Sequence, residues 1–476
     1  MSLGLLGALS ERANPIVLQE VRRGLRTRVF SVVFVLLLVS CAVIALIAFG
    51  VYEPGSSSVG KGTFVAVFGG LSVVGFFMLP YSAYRSLSRE MEDKTWPLLL
   101  LTGLSPRRIL AGKVGSTALQ ALLYASAIAP FLLFAYLLQG VSLVVVAVVL
   151  GASIAWHLFL TVAAVTAATL GETRLVRGAM HFVVLGGLLW GAGAGFGYGT
   201  AMVMNNSSSD LETMLIIAGV GSWLVLSYGL VLFAVAVSRL TFEADNHAFW
   251  PRLALLLHFL GCAALCFGIE LPTRSHLHLG FVLGLLGSIH AFMAGLFSAT
   301  TRPGLSKRLR SQRPRFTLAG LLLPGAANGL HFAMVLVLLF AVAGIGLTAL
   351  EGTSSDQERE VLTLVLLAAM ALIYLSLPIA VGRGWLRRWM VAPAFLQALG
   401  VLILVAAVGI PPLGALIADT KVNDPMLNLF NPILGATNVY DDKGTEAVAV
   451  LWVVALGLLF WAQRVSAARD REANGG

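Results

Sequence analysis

The chain has 476 residues, 58% hydrophobic and only 12% charged, with a formal charge of +9. The charged share is half the ~25% of a soluble domain, which excludes a water-soluble globular enzyme or binding module. The basic excess requires no nucleic-acid partner, because an anionic membrane surface attracts it equally well.

Crossing the hydrocarbon core as a helix takes about 20 apolar residues. Twelve windows qualify, near 29–50, 63–83, 115–138, 142–170, 179–203, 213–237, 252–270, 279–300, 329–350, 361–381, 391–417 and 446–462. They are continuously apolar rather than alternating, which predicts an all-α polytopic membrane bundle and not a barrel. With the N-terminus placed in the cytoplasm, 27 of the 32 lysines and arginines fall in inner segments. The positive-inside rule then predicts that both termini are cytoplasmic. The expected organisation is an interfacial elbow over 1–28, a six-span unit over 29–238, a second six-span unit over 239–462 and a cytoplasmic tail over 463–476.

Residues 1–13 lack the basic-then-apolar signature of a cleaved signal peptide, so the first span is expected to be an uncleaved anchor. Asn14-Pro15 then reads as a helix start. Over residues 14–28, Val17, Leu18, Val21 and Leu25 gather on one side and Gln19, Glu20, Arg22, Arg23 and Arg26 on the other. That pattern predicts a helix lying in the inner interface. The loop 51–62 contains Gly55-Ser-Ser-Ser-Val-Gly60-Lys61, but Gly62 stands where magnesium requires a Ser or Thr hydroxyl and no strand precedes it. It also falls on the predicted outer face, so it is rejected as a nucleotide site.

Residues 84–115, YRSLSREMEDKTWPLLLLTGLSPRRILAGKVG from Tyr84 on, form a polar and basic insert between apolar windows. Ser105 reads as an N-cap and Pro106 as a first helical residue, since proline there loses no hydrogen bond. Two short amphipathic helices are expected, one carrying Glu90, Glu92 and Asp93 ahead of Trp96, the other carrying Arg107, Arg108 and Lys113 around Ile109 and Leu110.

The fifth window carries Gly187, Gly191, Gly195 and Gly199, a spacing that lets a neighbouring helix approach closely, so this span is expected inside the bundle. Gly280 and Gly284 repeat the device weakly in the eighth. Ionisable side chains at membrane depth are functional candidates by default. His157 and His290 are the deepest and are the candidates for a translocation route. Cys41, Cys262 and Cys266 all fall within spans, which indicates no disulfide framework. The basic loop from Thr301 to Gly329 reads as a headgroup or partner surface. The aspartates Asp419, Asp424, Asp441 and Asp442 match no calcium loop. No zinc spacing and no nucleophile triad is present, so neither a metal site nor a catalytic residue is expected.

The block from Glu90 to Lys113 resembles the loop between the second and third spans of ABC-transporter permeases of the type-2 exporter class. The matching features are the acidic Glu90, Glu92 and Asp93, then Thr95, the leucines Leu98 to Leu101, the turn from Thr102 to Ser105, and Gly112-Lys113. The opening NPIVLQEVRRGLRTR is similar to the elbow of that family. The resemblance implies a coupling helix seated on a separate soluble ATPase. Glu90, Glu92, Thr95, Thr102, Ser105, Pro106, Arg107, Arg108 and Lys113 would form the interface. It further implies that the chain is not itself an enzyme, that ATP and magnesium belong to the partner subunit, that the membrane is a bacterial cytoplasmic one, and that a homodimer or paired permease is a further assembly to consider. The family core has six spans, whereas this chain has twelve windows. Two other readings stand beside it: an ion- or proton-coupled secondary transporter, and a non-transporting membrane scaffold or membrane enzyme.

Overall fold

A computed structural model describes residues 15–53, 57–101, 103–170, 174–204, 211–242, 245–268, 279–300, 318–350, 355–386, 393–417, 421–422, 424, 428–441 and 446–473. Among these, 89% are helical and none is in a strand. Twelve helices are long and apolar enough to cross a membrane, so the chain is an all-α, multi-pass integral membrane protein. It divides into two compact units, Met1–Thr241 and Phe242–Gly476.

The first unit begins with α1 (Pro15–Leu25) and continues through α2 (Arg28–Gly50), α3 (Ser58–Glu92), the short α4 (Trp96–Leu101), α5 (Pro106–Leu137), α6 (Leu143–Ala168), α7 (Arg174–Met204) and α8 (Leu211–Leu240). Several start where a hydroxyl accepts from an otherwise orphaned amide: Thr27 from Phe30, Ser105 from Arg108 and Ser142 from Val145. The spans α3 and α5 outrun their hydrophobic windows. Backbone hydrogen bonding continues past the apolar stretch because neither charge nor amphipathicity breaks a helix. The insert therefore holds one short helix instead of two: its acidic part is the end of α3, and its basic part is the start of the 32-residue α5.

Inside α3, residues Val73–Met78 form a π turn. Such a turn carries one extra residue and disturbs the regular ladder. The central element of this unit is α6, which packs against α3, α5, α7 and α8. Phe64, Phe68, Tyr84, Leu87, Ile109, Leu110, Ile128 and Leu132 are fully buried around it.

The second unit comprises α9 (Phe249–Gly268), α10 (Leu279–Ala299), α11 (Ala326–Leu350), α12 (Asp356–Trp385), α13 (Pro393–Ile417), the short α14 (Leu434–Tyr440) and α15 (Ala447–Ala473). Its centre is α12, whose apolar window is 83% buried against 11% for α13. The stretch expected as the tail beyond 462 continues α15 as helix to Ala473. There Asp470 accepts from the Ala326 and Ala327 amides at 3.1 and 2.9 Å and so caps α11.

The two units share one packing scheme. In each, the substantial contacts join the first span to the second and third, the second to the third, fourth and fifth, the third to the fourth and sixth, and the fourth to the fifth and sixth. The six spans of each unit thus share one pattern of adjacency among the described residues.

The glycines divide between the units differently from the sequence expectation. In α7, a Cβ at Gly191 would lie 2.7 Å from Leu160, one at Gly195 would lie 2.6 Å from Trp156, and one at Gly199 would strike Phe68. Gly187 is exposed with open space around it, so it is not a packing glycine. The opposite face of α7 exposes Phe182, Leu189 and Trp190, which puts this span at the edge of its unit and not inside. A second small-residue seam joins α10 to α11, where a Cβ on Gly344 would lie 2.7 Å from Gly284 Cα and one on Gly287 would strike Phe340.

Candidate functional site

The connection from α3 to α5 is built by local backbone chemistry. After α3 ends at Glu92, Asp93 donates its amide to the Arg89 carbonyl at 2.8 Å. Lys94 takes φ 53°, reversing the chain. Thr95 then donates from both its amide and its hydroxyl to the Glu90 carbonyl, at 3.0 and 3.2 Å, which satisfies the orphaned end of α3. The α4 turn follows, and Gly103 at φ 80° makes the second reversal, which a side chain would oppose. Ser105, with extended backbone, accepts from the Arg108 amide and starts α5 with Pro106 in its first turn.

This connection has an inner and an outer face. Trp96, Ile109 and Leu110 are buried in the core. Outward stand Leu98 and Leu101, 62% and 82% exposed, together with Glu92, Asp93, Lys94, Arg107 and Arg108. Two exposed apolar side chains on this face are thus flanked by both signs of charge. Thr95 is half-buried, and its hydroxyl is committed to the Glu90 carbonyl. Thr102 lies outside the described residues.

Glu90 and Lys113 do not belong to that outer surface, which corrects the expectation for both. Lys113 is 2% exposed, and its ammonium donates to Glu90 Oε1 at 2.7 Å, Glu20 Oε1 at 2.9 Å and Ser86 Oγ at 2.8 Å. A buried ammonium is retained only when its three protons find acceptors, and here they find three. Glu20 comes from α1, so the elbow is tied to the span that leads out of the connection. Glu20 had been expected on the outward polar side of α1. It is turned inward with Val17, Val21 and Gly24, while Leu18 is exposed. The period-3.6 pattern fits both rotations, and the Lys113 ammonium selects one.

His157 is buried in α6, and its Nδ1 donates to the Gly75 carbonyl at 2.6 Å. Gly75 lies in the π turn of α3, so the imidazole pins an irregular stretch of backbone. His290 of α10 stacks on His258 of α9, ring centroids 5.2 Å apart, with Cys262 Sγ 3.7 Å from His258 Nε2. Among the described residues no three metal-ligating side chains converge. His157 lies in the first unit and His290 in the second.

Sequence reading missed Arg252 and Arg383. Arg252 of α9 is 2% exposed and donates to the Leu321 and Leu323 carbonyls, both at 2.7 Å, with its guanidinium over the Phe332 ring. Ser298, at the end of α10, accepts from it at 3.5 Å. A buried cation thus joins the start of the first span, the end of the second and the approach to the third. In the first unit Lys113 ties the elbow, the end of the second span and the start of the third. Arg383 sits in a second π turn, Val381–Trp385, and donates to Ser466 Oγ at 3.0 Å. In the sequence Arg252 opens the 252–270 window and Arg383 stands just past the 361–381 window, so both read as boundary charges and neither gave a signal of its own. No family model, curated protein or solved structure matches the chain.

Proposed function

We propose that the chain is the membrane-spanning subunit of an ATP-driven exporter of a bacterial cytoplasmic membrane, moved by a separate soluble ATPase that docks on the outer face of the α3–α5 connection. The observation that carries the reading is this outer face. Leu98 and Leu101 stand exposed at a place where Trp96, Ile109 and Leu110 root the backbone in the core. An exposed apolar pair on a rigid base is what a partner surface requires and what a solvated loop avoids.

A chain that borrows its energy must receive it as differential contact between two states, and this connection is continuous with two spans, α3 and α5. ATP and magnesium belong to the partner in this reading. The adjacency pattern common to both six-span units supports a transporter over a scaffold, because transporter folds are often built from internal repeats.

The test is affinity purification of the full chain from its native membranes, followed by magnesium-dependent ATP hydrolysis in the eluate. Leu98→Glu with Leu101→Glu, and separately Arg107→Glu with Arg108→Glu, are expected to remove the ATPase while leaving the chain in the membrane. An ATPase retained by both variants refutes the docking surface. Transport that survives ATP depletion and collapses with the ion gradient favours a secondary transporter.

A further inference from the structure

Whether or not an ATPase docks on the first unit, α1 carries a second surface with its own chemistry. Its inner face is registered on α5 over two turns. Val17 packs at Gly115, where a Cβ would lie 3.4 Å from the valine methyl. Glu20 pairs with Lys113. Gly24 abuts Gln120, whose Nε2 would lie 2.7 Å from an added Cβ. The opposite face presents Leu18, Gln19, Arg22 and Arg23, with Arg26 in the turn just beyond the helix, all exposed. None of these arginines pairs with a carboxylate among the described residues.

Their depth follows from the corner that joins α1 to α2. The Thr27 hydroxyl donates to the Gly24 carbonyl at 2.7 Å and accepts from the Phe30 amide at 3.2 Å. One residue thus closes one helix and opens the next. Directly beyond it, Val29, Val32, Val35 and Leu36 are exposed apolar side chains of a helix long and apolar enough to cross a membrane, the kind of face that acyl chains cover. At 1.5 Å per residue along a helix, Arg26 and Arg28 stand within about one turn of the first lipid-facing valine. That is the headgroup layer. Four arginines stand among residues 22–28. They are guanidiniums, which hold phosphate through paired N–H donors.

We infer that the outward face of α1, Arg22 and Arg23 with Arg26 and Arg28 at the corner, is a binding site for anionic phospholipid headgroups, and that Glu20–Lys113 transmits its occupancy to the α3–α5 connection. The ammonium that grips Glu20 also grips Glu90 at the end of α3. Restraining α1 against a charged leaflet therefore restrains both ends of the 93–105 stretch.

The test uses the full chain in detergent with added phosphatidylglycerol or phosphatidylcholine, the retained lipid being counted by native mass spectrometry. Each arginine against an anionic surface contributes about fivefold, so Arg22→Gln/Arg23→Gln/Arg26→Gln is expected to lower phosphatidylglycerol retention on the order of a hundredfold. Arg22→Lys/Arg23→Lys/Arg26→Lys keeps the charge and most of the retention. Equal retention by the wild type and the glutamine variant overturns the site, as does replacement of the lipid by inorganic phosphate. If the glutamine variant does not fold, salt titration of the wild type decides: retained phosphatidylglycerol falls with ionic strength, and salt-independent retention overturns the proposal. For transmission, hydrogen exchange across 93–105 in phosphatidylcholine nanodiscs is expected to slow when phosphatidylglycerol is included, and Glu20→Ala, which leaves Lys113 no acceptor on α1, is expected to abolish that slowing without abolishing lipid retention. Exchange across 93–105 that ignores the lipid in the wild type overturns the transmission.

Discussion

Replacing Lys113 with methionine removes a charge whose ammonium is held 2.7 Å from Glu90 and 2.9 Å from Glu20 while only 2% of the side chain is exposed. Methionine fills a similar volume, so the packing of α1 on α5 is kept and the change is electrostatic. It leaves two carboxylates facing each other with Ser86 as the remaining donor nearby. Breaking a buried pair from one side costs about 3–5 kcal/mol, and because both carboxylates are 21% exposed and reached by water, the lower end, about 3 kcal/mol, is expected. Glu20→Gln is different in kind. It removes one negative charge from a group with two carboxylates and one ammonium, keeps an acceptor for Lys113, and is expected to cost about 1 kcal/mol. The triple variant Lys113→Met/Glu20→Gln/Glu90→Gln removes every charge in the cluster and is expected to recover most of the loss, since replacing a whole buried ionic group is often near neutral. Unfolding in mixed detergent micelles measures all three, and the non-additivity of the cycle isolates the coupling. Two results refute the reasoning: a Lys113→Met cost within about 0.5 kcal/mol of zero, or a triple variant no more stable than Lys113→Met alone.

Gly195→Ala is expected to cost about 1–3 kcal/mol by overpacking, because its Cβ would fall 2.6 Å from Trp156 and 2.8 Å from Phe76. Gly187→Ala, which meets nothing within 4 Å, is expected to cost nothing and to gain up to about 1 kcal/mol of helix propensity; the same unfolding measurement compares them. Arg252→Met strips the donors from the Leu321 and Leu323 carbonyls and is expected to cost about 2–4 kcal/mol, with Arg252→Lys recovering part of it because one ammonium spans the two carbonyls less well. Hydrogen exchange over 318–330 reads this change, and unaltered exchange there in the methionine variant counts against Arg252 as the tie. Leu98→Glu with Leu101→Glu is expected to leave unfolding within about 0.5 kcal/mol of wild type, because both side chains stand outside the core; a larger loss means that they pack.

The uninterrupted apolar windows alone determined that the chain is an all-α membrane protein with twelve spans. Burying an unpaired backbone in lipid leaves no alternative to the helix. Ser105 and Pro106 announced the start of α5 because capping is a local interaction within four residues. Everything that depended on a partner distant in the chain was undetermined until the helices packed. Glu20 and Lys113 stand 93 positions apart, and the helical period of α1 allowed its carboxylate to face either way. The glycine spacing in α7 was correct in kind but could not tell Gly187, at open space, from Gly195, against Trp156, since a four-residue repeat does not say where the neighbouring helix ends. Arg252 and Arg383 read as boundary charges because a hydropathy average records their cost and not the carbonyls or hydroxyl that offset it. That the second six spans repeat the packing scheme of the first was a property of the tertiary structure alone, for adjacency is preserved by shape complementarity while the residues that supply it differ.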